Sequence, residues 1–395
     1  MRFKDTFVRP LVTSSISTFS LTAMALGIAC TAAAVETTIK DTTLTLYGYG
    51  KLDLIYDVDA DLGNLITHSN IRLDDQQGPD GHTRIQAIES RLGITTVTPV
   101  TGGSLKTVLE GDFYGSGGGV FRLRHAYGEW NGILAGQTWS NFGNFLGTTP
   151  TLDFLGQVGQ PVIARQAQLR YTTGAFSVAL EAPGTLGGAT AVMPVGGPDP
   201  VTPDADSQKD LPDITVQFKT TVDMLSFAIS GVARQISVYD GDSDNEESTF
   251  GYGVGLAAKL TLTDRLRVQS SLVYGDGIGG YLYASPGASA YYDPANESVE
   301  TIEAMGGTLG VSLDVGPGSI NLGYGIATAD WDEAEDAGLA VAGSDETRQS
   351  FFLNYSWSTV SNVLYGLEAG HHSRETVGGG EGDAIRLQAM AKYSF

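Results

Sequence analysis

The amino-acid sequence predicts an all-β fold, an antiparallel transmembrane β-barrel of about sixteen strands with short periplasmic turns and long extracellular loops. Three observations lead to this prediction. Segments of about ten residues alternate between apolar and polar side chains, and side chains on a strand point to opposite faces with period two. Short turns and long polar loops separate these segments in alternation. One parity of nearly every segment is apolar, which suits lipid, where only closed barrels and helices pair every backbone group.

Composition agrees with many short strands joined by turns. Of the 395 residues, 52 are Gly, and charged residues make up 17%, below the roughly 25% that is usual for soluble domains. The formal net charge is -22, so the chain lacks the basic face that nucleic acid requires, and we expect no nucleic-acid partner. The alternative is a large soluble all-β protein, but that fold would need neither a sustained apolar parity nor a C-terminal Phe395.

The N-terminus has the pattern of an export signal. Three basic residues precede a short apolar core at 21–29, and three alanines at 32–34 offer a cleavage site before Val35. The core is too short for a transmembrane helix. We therefore expect residues 1–34 to be a signal peptide and residues 35–395 to form one outer-membrane barrel domain. Cleavage would remove Cys30, the one cysteine of the chain, whose preceding residues fit a lipoprotein site poorly.

The alternating segments follow one another with a regular rhythm of strand, short turn, strand and long loop. In the first half they lie at 43–57, 84–97, 105–114, 120–130, 133–139, 166–171 and 176–181. In the second half they begin near residues 214, 225, 252, 266, 309, 320, 351, 363 and 386. The predicted long loops lie at 58–83, 183–210, 240–247, 276–299 and 330–346.

The stretch from 120 to 145 combines an apolar parity with a cationic one. Alternation places Phe121, Leu123 and Tyr127 on one face, and Arg122, Arg124, Ala126 and Gly128 on the other. Asn131-Gly132 is typical of a two-residue hairpin turn. We therefore expect the arginines to face a water-filled lumen.

His125 and Glu129 do not fit this alternation, because it places both on the lipid-facing parity, where charge is costly. Either a β-bulge re-aims the two side chains, or this strand faces another protomer. We favour the second explanation, which supports a homotrimer.

The run at about 140–165 is not strand-like, and we expect it to fold into the barrel as a constriction loop. Asn141, Asn144, Asp153 and Gln157 could then line the narrowest part. The alternative is an ordinary loop outside the barrel.

The sequence resembles the DcaP-like porins of Gram-negative outer membranes. The resemblance covers the chain after the signal and is carried by Glu89-Ser90-Arg91-Leu92-Gly93, Glu110-Gly111-Asp112-Phe113, Phe121-Arg122-Leu123-Arg124-His125-Ala126-Tyr127-Gly128, Gly136-Gln137-Thr138-Trp139-Ser140 and the terminal Tyr393-Ser394-Phe395. It implies a trimer of sixteen-stranded barrels in the cell outer membrane that passes small anionic solutes, including dicarboxylates. Many such porins carry an N-terminal helical extension, for which the sequence here leaves no room before the first strand.

The inward parity of the predicted strands carries most of the basic residues, whereas the acids concentrate in the loops. The candidate pore-lining cations are Arg84, Arg91, Lys106, Arg122, Arg124, Arg170, Arg234, Arg267 and Arg386. A ladder of arginines lowers the barrier for anions, and the guanidinium fork suits carboxylates. The alternative is that some of them pair with Glu89, Glu110 and Asp112 to brace the wall. We expect such pairing chiefly at Arg91, because the strand neighbours of Arg122 and Arg124 are small.

The expected function is therefore passive diffusion of small hydrophilic, preferably anionic solutes such as (di)carboxylates through an arginine-lined pore. The expected partners are outer-membrane lipid, lipopolysaccharide, further copies of the chain and small anions. No cofactor is expected. No metal site is expected either, since the acidic loop that starts at Asp240 lacks the glycine and glutamate of an EF-hand.

Two other functions stay open. A pore-less structural or adhesive barrel would show no conductance. A barrel hydrolase could use His125 with a lumenal serine, but the chain contains neither HExxH nor GxSxG before a helix, so we do not expect an enzyme.

Overall fold

The computed structural model describes residues 34–184, 186, 189–190, 211–240, 245–293 and 295–395. Apart from Ala34, the expected signal peptide lies outside these residues, as do most of the predicted loop at 183–210 and the centre of the acidic loop at 240–247. Within the described part of the chain, no helix is long and apolar enough to cross a membrane.

Almost all regular structure is β-strand. The first strands are β1 (Val35–Ile39), β2 (Thr42–Asp57), β3 (His82–Gln86), β4 (Arg91–Val100), β5 (Gly103–Gly115), β6 (Val120–Trp130), β7 (Ile133–Trp139), β8 (Arg165–Thr173), β9 (Phe176–Glu181) and β10 (Ala189–Thr190). They are followed by β11 (Asp213–Val222), β12 (Leu225–Asp240), β13 (Asn245–Thr261), β14 (Leu266–Asp276), β15 (Ala290–Asp293), β16 (Ser298–Thr301), β17 (Glu303–Val315), β18 (Gly318–Ala329), β19 (Asp345–Val360), β20 (Val363–Thr376) and β21 (Glu381–Ser394). Helical segments are short: α1 (Asp332–Asp336) and two 3₁₀ turns, His68–Asn70 and Gly279–Tyr281.

The strands close into an antiparallel barrel of 16 strands, as the sequence predicts. Closure comes from β2, which pairs with β21 on one side and with both β3 and β4 on the other. β3 and β4 share one position in the barrel, because residues 87–90 interrupt the predicted strand at 84–97. β1 adds a hairpin on β2, and β10, β15 and β16 form a separate three-stranded sheet.

The two parities of each strand face opposite sides of the wall. On β2, Leu52, Leu54 and Tyr56 are exposed on the outside, whereas Lys51 and Asp53 are buried on the inside. The outer parity of most other strands is likewise apolar and exposed, as a lipid-facing surface requires. Alternation thus sets which side chains enter the lumen.

A β-bulge in β6 explains the misfit of His125 and Glu129. Across from β5, His125 pairs with Glu110 and the next pair is Leu123 with Gly111, so Arg124 is the extra residue. A bulge of this kind shifts the alternation by one residue. Our preference for a protomer contact at this site was therefore wrong, because the strand itself turns both side chains inward. The same shift moves Tyr127 to the inner face, opposite Val108.

Several long loops pack inside the barrel and build an apolar core there. The loop after β14 contributes Ile278, Tyr281 and Leu282, and the segment after β18 contributes Trp331 and Leu339. These side chains cluster with apolar residues of the 140–164 segment and of the β12, β14 and β17 walls. The core fills part of the lumen on the side opposite β2–β8.

His68, in the loop after β2, packs edge-on against His372 of β20 with 5.7 Å between ring centroids. Burial lowers the pKa of His68 to about 4, helped by the positive charge of Arg348. A released loop would protonate His68 near its ordinary pKa of about 6.5, so loop release becomes easier as pH falls from 6.5 towards 4. We expect proteolysis of the 58–81 loop to accelerate over this range, and His68→Gln to weaken that pH dependence. An equal pH dependence in His68→Gln would contradict the assignment.

Candidate functional site

The segment at 140–164 lies inside the barrel and follows its inner wall almost all the way round. Near its start, Asn141 accepts a hydrogen bond from Ser177 and donates its backbone N–H to Glu181 at 2.6 Å. Gly147 then packs against the backbone of β14, and Thr149 against that of β17. The tip reaches β20, β21 and β2, where the Lys51 ammonium donates to the carbonyl of Leu152 at 3.0 Å. The segment therefore lies where the sequence predicts an inward-folded loop.

Glu368 of β20 fixes the tip of this segment. Its carboxylate accepts hydrogen bonds from the Thr151 hydroxyl at 2.8 Å and from the Leu152 backbone N–H at 2.9 Å. It also accepts one from the Asn354 amide at 2.8 Å, and that amide donates to the carbonyl of Pro150. Three consecutive loop residues are thus tied to two neighbouring wall strands.

Glycines in the opposite wall let the segment lie directly on the strands. A Cβ added at Gly325 of β18 would stand 2.1 Å from the carbonyl oxygen of Val158, and one at Gly310 of β17 would stand 1.7 Å from the Thr149 hydroxyl. On the loop side, Gly159 has φ +82 and abuts Gly307, a conformation that glycine adopts at little cost. Part of the high glycine content therefore makes room for this loop.

A cluster of guanidinium groups on β4 and β6 lies beside the tip, on the wall next to β2. Arg122 forms a bidentate pair with Asp112 at 3.0 and 2.9 Å, and Arg124 bridges Glu110 at 2.8 Å and Asp112 at 2.9 Å. Arg91 lies 3.4 Å from Glu110. The expectation that pairing with carboxylates would occur chiefly at Arg91 was wrong, because the register of β5 and β6 places Asp112 directly across from Arg122.

Aromatic rings pack on the same cluster. Phe154, at the loop tip, has its ring centroid 5.3 Å from the Arg124 guanidinium carbon and 5.7 Å from that of Arg122. Trp139 lies 5.4 Å from Arg124 and 5.0 Å from Arg165. These contacts hold the guanidinium planes in fixed orientations.

The pairs of the inner wall differ in how much of each partner water reaches. Asp112 is 0% exposed while Arg122 is 32% exposed, and Glu110 is 9% exposed while Arg91 is 20% exposed. In these two pairs the carboxylate lies behind its guanidinium partner, so the side of the pair that meets water is cationic.

The other predicted cations fall into three groups. Arg386 and Arg84 share Asp57, with Arg386 bidentate at 2.6 and 2.8 Å and Arg84 at 3.8 Å. Arg170 donates to Gln168 and to the Trp139 carbonyl, and Lys106 lies over the Tyr127 ring. Arg267 pairs with Asp314 close to a short turn.

Arg234 and Asp153 are buried rather than open to the lumen. Arg234 donates to the carbonyl of Leu186 and the hydroxyl of Ser289, and lies 3.7 Å from Asp213. It therefore braces the inner loops, and the expectation that it lines an open pore does not fit its position. Asp153 lies 3.5 Å from Arg386 at the loop tip; burial raises its pKa, and the positive charge of Arg386 opposes that rise.

Of the polar residues expected at the constriction, Asn144 and Gln157 are also buried. The Asn144 side chain accepts from the backbone N–H of Leu146, and that of Gln157 binds the Thr149 N–H and the Tyr324 carbonyl. Their hydrogen bonds fix the backbone of the loop and do not line an open channel.

Lys51 and Glu368 were absent from the predicted set of site residues, although their position on the inward parity of β2 and β20 could have revealed them. Among the described residues, no group of three or more potential ligands could hold a metal ion.

Comparison with known proteins gives a consistent result. The family model of the DcaP outer membrane protein matches residues 23–395. The outer membrane channel DcaP of Acinetobacter baumannii is 25% identical, with 91% of this chain and 99% of that chain covered and a TM-score of 0.76. A search of curated proteins finds no match.

More distant structures share the fold. The in-vitro folded OmpT of Vibrio cholerae in its trimer form is 14% identical, and an anion-selective porin from Comamonas acidovorans is 13% identical. In both cases the alignment covers 90% of this chain and 100% of the other, with a TM-score of 0.55. With a closed barrel, an inward loop and a match over nearly its whole length, this chain belongs to the DcaP outer membrane protein family and is an outer-membrane channel of the porin type.

Proposed function

We propose that the channel lets small hydrophilic solutes diffuse passively across the outer membrane and prefers anions, including mono- and dicarboxylates. We further propose that it is exported through the signal peptide at 1–34, works as a homotrimer, and contacts lipid and lipopolysaccharide. The wall around the guanidinium cluster and the loop tip supports the preference for anions.

The difference in exposure within the ion pairs carries this proposal. A solute at the wall meets the Arg122 and Arg91 guanidinium groups before it meets Asp112 and Glu110. Guanidinium groups stay charged and offer a planar fork that matches a carboxylate. Because their own carboxylates already occupy part of that fork, passing anions bind weakly, which conduction requires.

A planar bilayer with a gradient of KCl tests the proposal. We expect a reversal potential that corresponds to chloride being more permeant than potassium, and potassium salts of small carboxylates that carry current. A reversal potential near zero would contradict the preference for anions. No conductance at all would favour a pore-less barrel, and esterase activity would favour a hydrolase.

Arg122→Gln should lower the chloride-over-potassium permeability ratio about twofold, because it removes one partly exposed charge screened by water and by Asp112. Arg124→Gln is the matched comparison, since Arg124 is almost fully buried. We expect Arg124→Gln to lower the melting temperature, because Glu110 and Asp112 lose a buried partner. Its permeability ratio should change less than that of Arg122→Gln. The check is the reversal potential of both variants together with their melting temperature. A larger selectivity change in Arg124→Gln would contradict this assignment.

A further inference from the structure

The periplasmic end of the lumen carries a second set of cations, which we call the vestibule lysines: Lys106, Lys219, Lys259 and Lys392. Lys106, Lys219 and Lys259 each lie within three residues of the end of their strand at a short turn, on β5, β11 and β13 respectively. Lys392 lies two residues before the end of β21 and pairs with Leu364, next to the short turn between β19 and β20. In membrane barrels short turns mark the periplasmic rim. The four strands are spread around the barrel, so the lysines surround the opening.

Strand parity directs all four side chains inward. Lys219 pairs with Ala228, which is buried inside the barrel, while its neighbour Phe218 is exposed to lipid. Lys259 pairs with the buried Gln269, and Lys392 pairs with Lys51, the buried anchor of the loop tip. Lys106 lies across from Glu129 on the inner face of β6.

Positive charge exceeds negative charge on the inner face of the strands at this level, while Asp223 and Asp264 lie in the turns beside Lys219 and Lys259. Across the described residues, Lys106, Lys219 and Lys259 form no ion pair. The inward carboxylates nearest these turns are Glu129 and Asp314, and Asp314 is held by both nitrogens of Arg267. Toward the extracellular end, by contrast, Arg91, Arg122 and Arg124 each share a carboxylate.

We propose that the vestibule lysines draw anions into the periplasmic end of the channel and supply most of its selectivity. This inference rests on the proposed function and moves the main determinant away from the paired arginines. An ammonium group is a compact, strongly hydrated charge. A ring of such charges around a water-filled opening raises the local concentration of anions without a tight binding site.

The double substitution Lys219→Gln/Lys259→Gln tests the inference. The two lysines lie on the inner faces of β11 and β13, which flank β12, and neither forms an ion pair within the described residues. We expect the chloride-over-potassium permeability ratio in 0.1 M KCl to fall about threefold, a change set by two nearby charges in water. Lys40→Gln is the matched control, since Lys40 is exposed in the turn between β1 and β2 and does not lie on the inner parity of a barrel strand. It should leave the ratio unchanged.

A second measurement needs no variant. Charges that act through water are screened over about 10 Å at 0.1 M salt and about 3 Å at 1 M, so the wild-type permeability ratio should fall as the mean KCl concentration rises over this range. An anion-selective wild type whose ratio is unaffected by the double substitution would overturn the inference and leave the proposed function intact. A wild type without selectivity would overturn the proposed function itself.

Discussion

Glu368→Ala is expected to release the tip of the inward loop and to destabilise the barrel by about 3 kcal/mol, because it leaves three buried donors without an acceptor. These donors are the Thr151 hydroxyl, the Leu152 backbone N–H and the Asn354 amide. The remaining polar contacts of the tip run from Asn354 to the Pro150 carbonyl, from Lys51 and Gln388 to the Leu152 carbonyl, and from Arg386 to Asp153. None of them offers an acceptor to the Thr151 hydroxyl or the Leu152 N–H. The loop should then move within the lumen.

The check is limited proteolysis of the folded protein together with single-channel recording. The wild-type segment at 140–164 should resist proteases and give steady current, whereas Glu368→Ala should be cut there and show current noise. Glu368→Gln is the matched control, since its amide keeps one acceptor oxygen at the same place and should give an intermediate result. Equal protection of the wild type and Glu368→Ala would mean that Glu368 does not hold the loop.

The sequence predicts the barrel well because the lipid imposes a simple rule on each strand. An outer parity of Leu, Phe and Tyr must alternate with an inner polar parity wherever the wall crosses the membrane. The count of sixteen strands follows from this repetition. The turn at Asn131-Gly132 also forms as predicted, with φ values of 49° and 79°, which match the type I′ turn of a two-residue hairpin.

The details inside the barrel depend on contacts between distant parts of the chain. A bulge adds one residue without any mark in the sequence, so His125 and Glu129 could not be assigned to the inner face. The pairing of Arg122 with Asp112 depends on the register of two strands, and the anchor from Glu368 to Thr151 joins residues 217 positions apart. Burial of Arg234 depends on inner loops that carry no alternating pattern.

Gly325→Val is expected to reduce the single-channel conductance, because the added side chain must push the inward loop away from the wall. The Cβ would meet the backbone oxygen of Val158 at 2.1 Å, and the backbone carbon at 3.1 Å. The Val158 backbone cannot rotate away from the added Cβ, whereas the end of a flexible side chain could. Overpacking of this kind costs about 1–3 kcal/mol, which is small enough for the barrel to fold, so the loop rather than the strand should give way.

Gly50→Val is the matched control, since nothing lies within 4 Å of a Cβ built at Gly50 of β2. Both variants add the same side chain to a strand, so only Gly325→Val should narrow the lumen. A shift of the barrel between folded and heat-denatured mobility on a gel verifies that each variant folds. If Gly325→Val folds and conducts like the wild type, the loop is not packed on β18. If conductance falls, the glycines of the wall determine the open area of the channel as directly as its charged residues determine which ions enter.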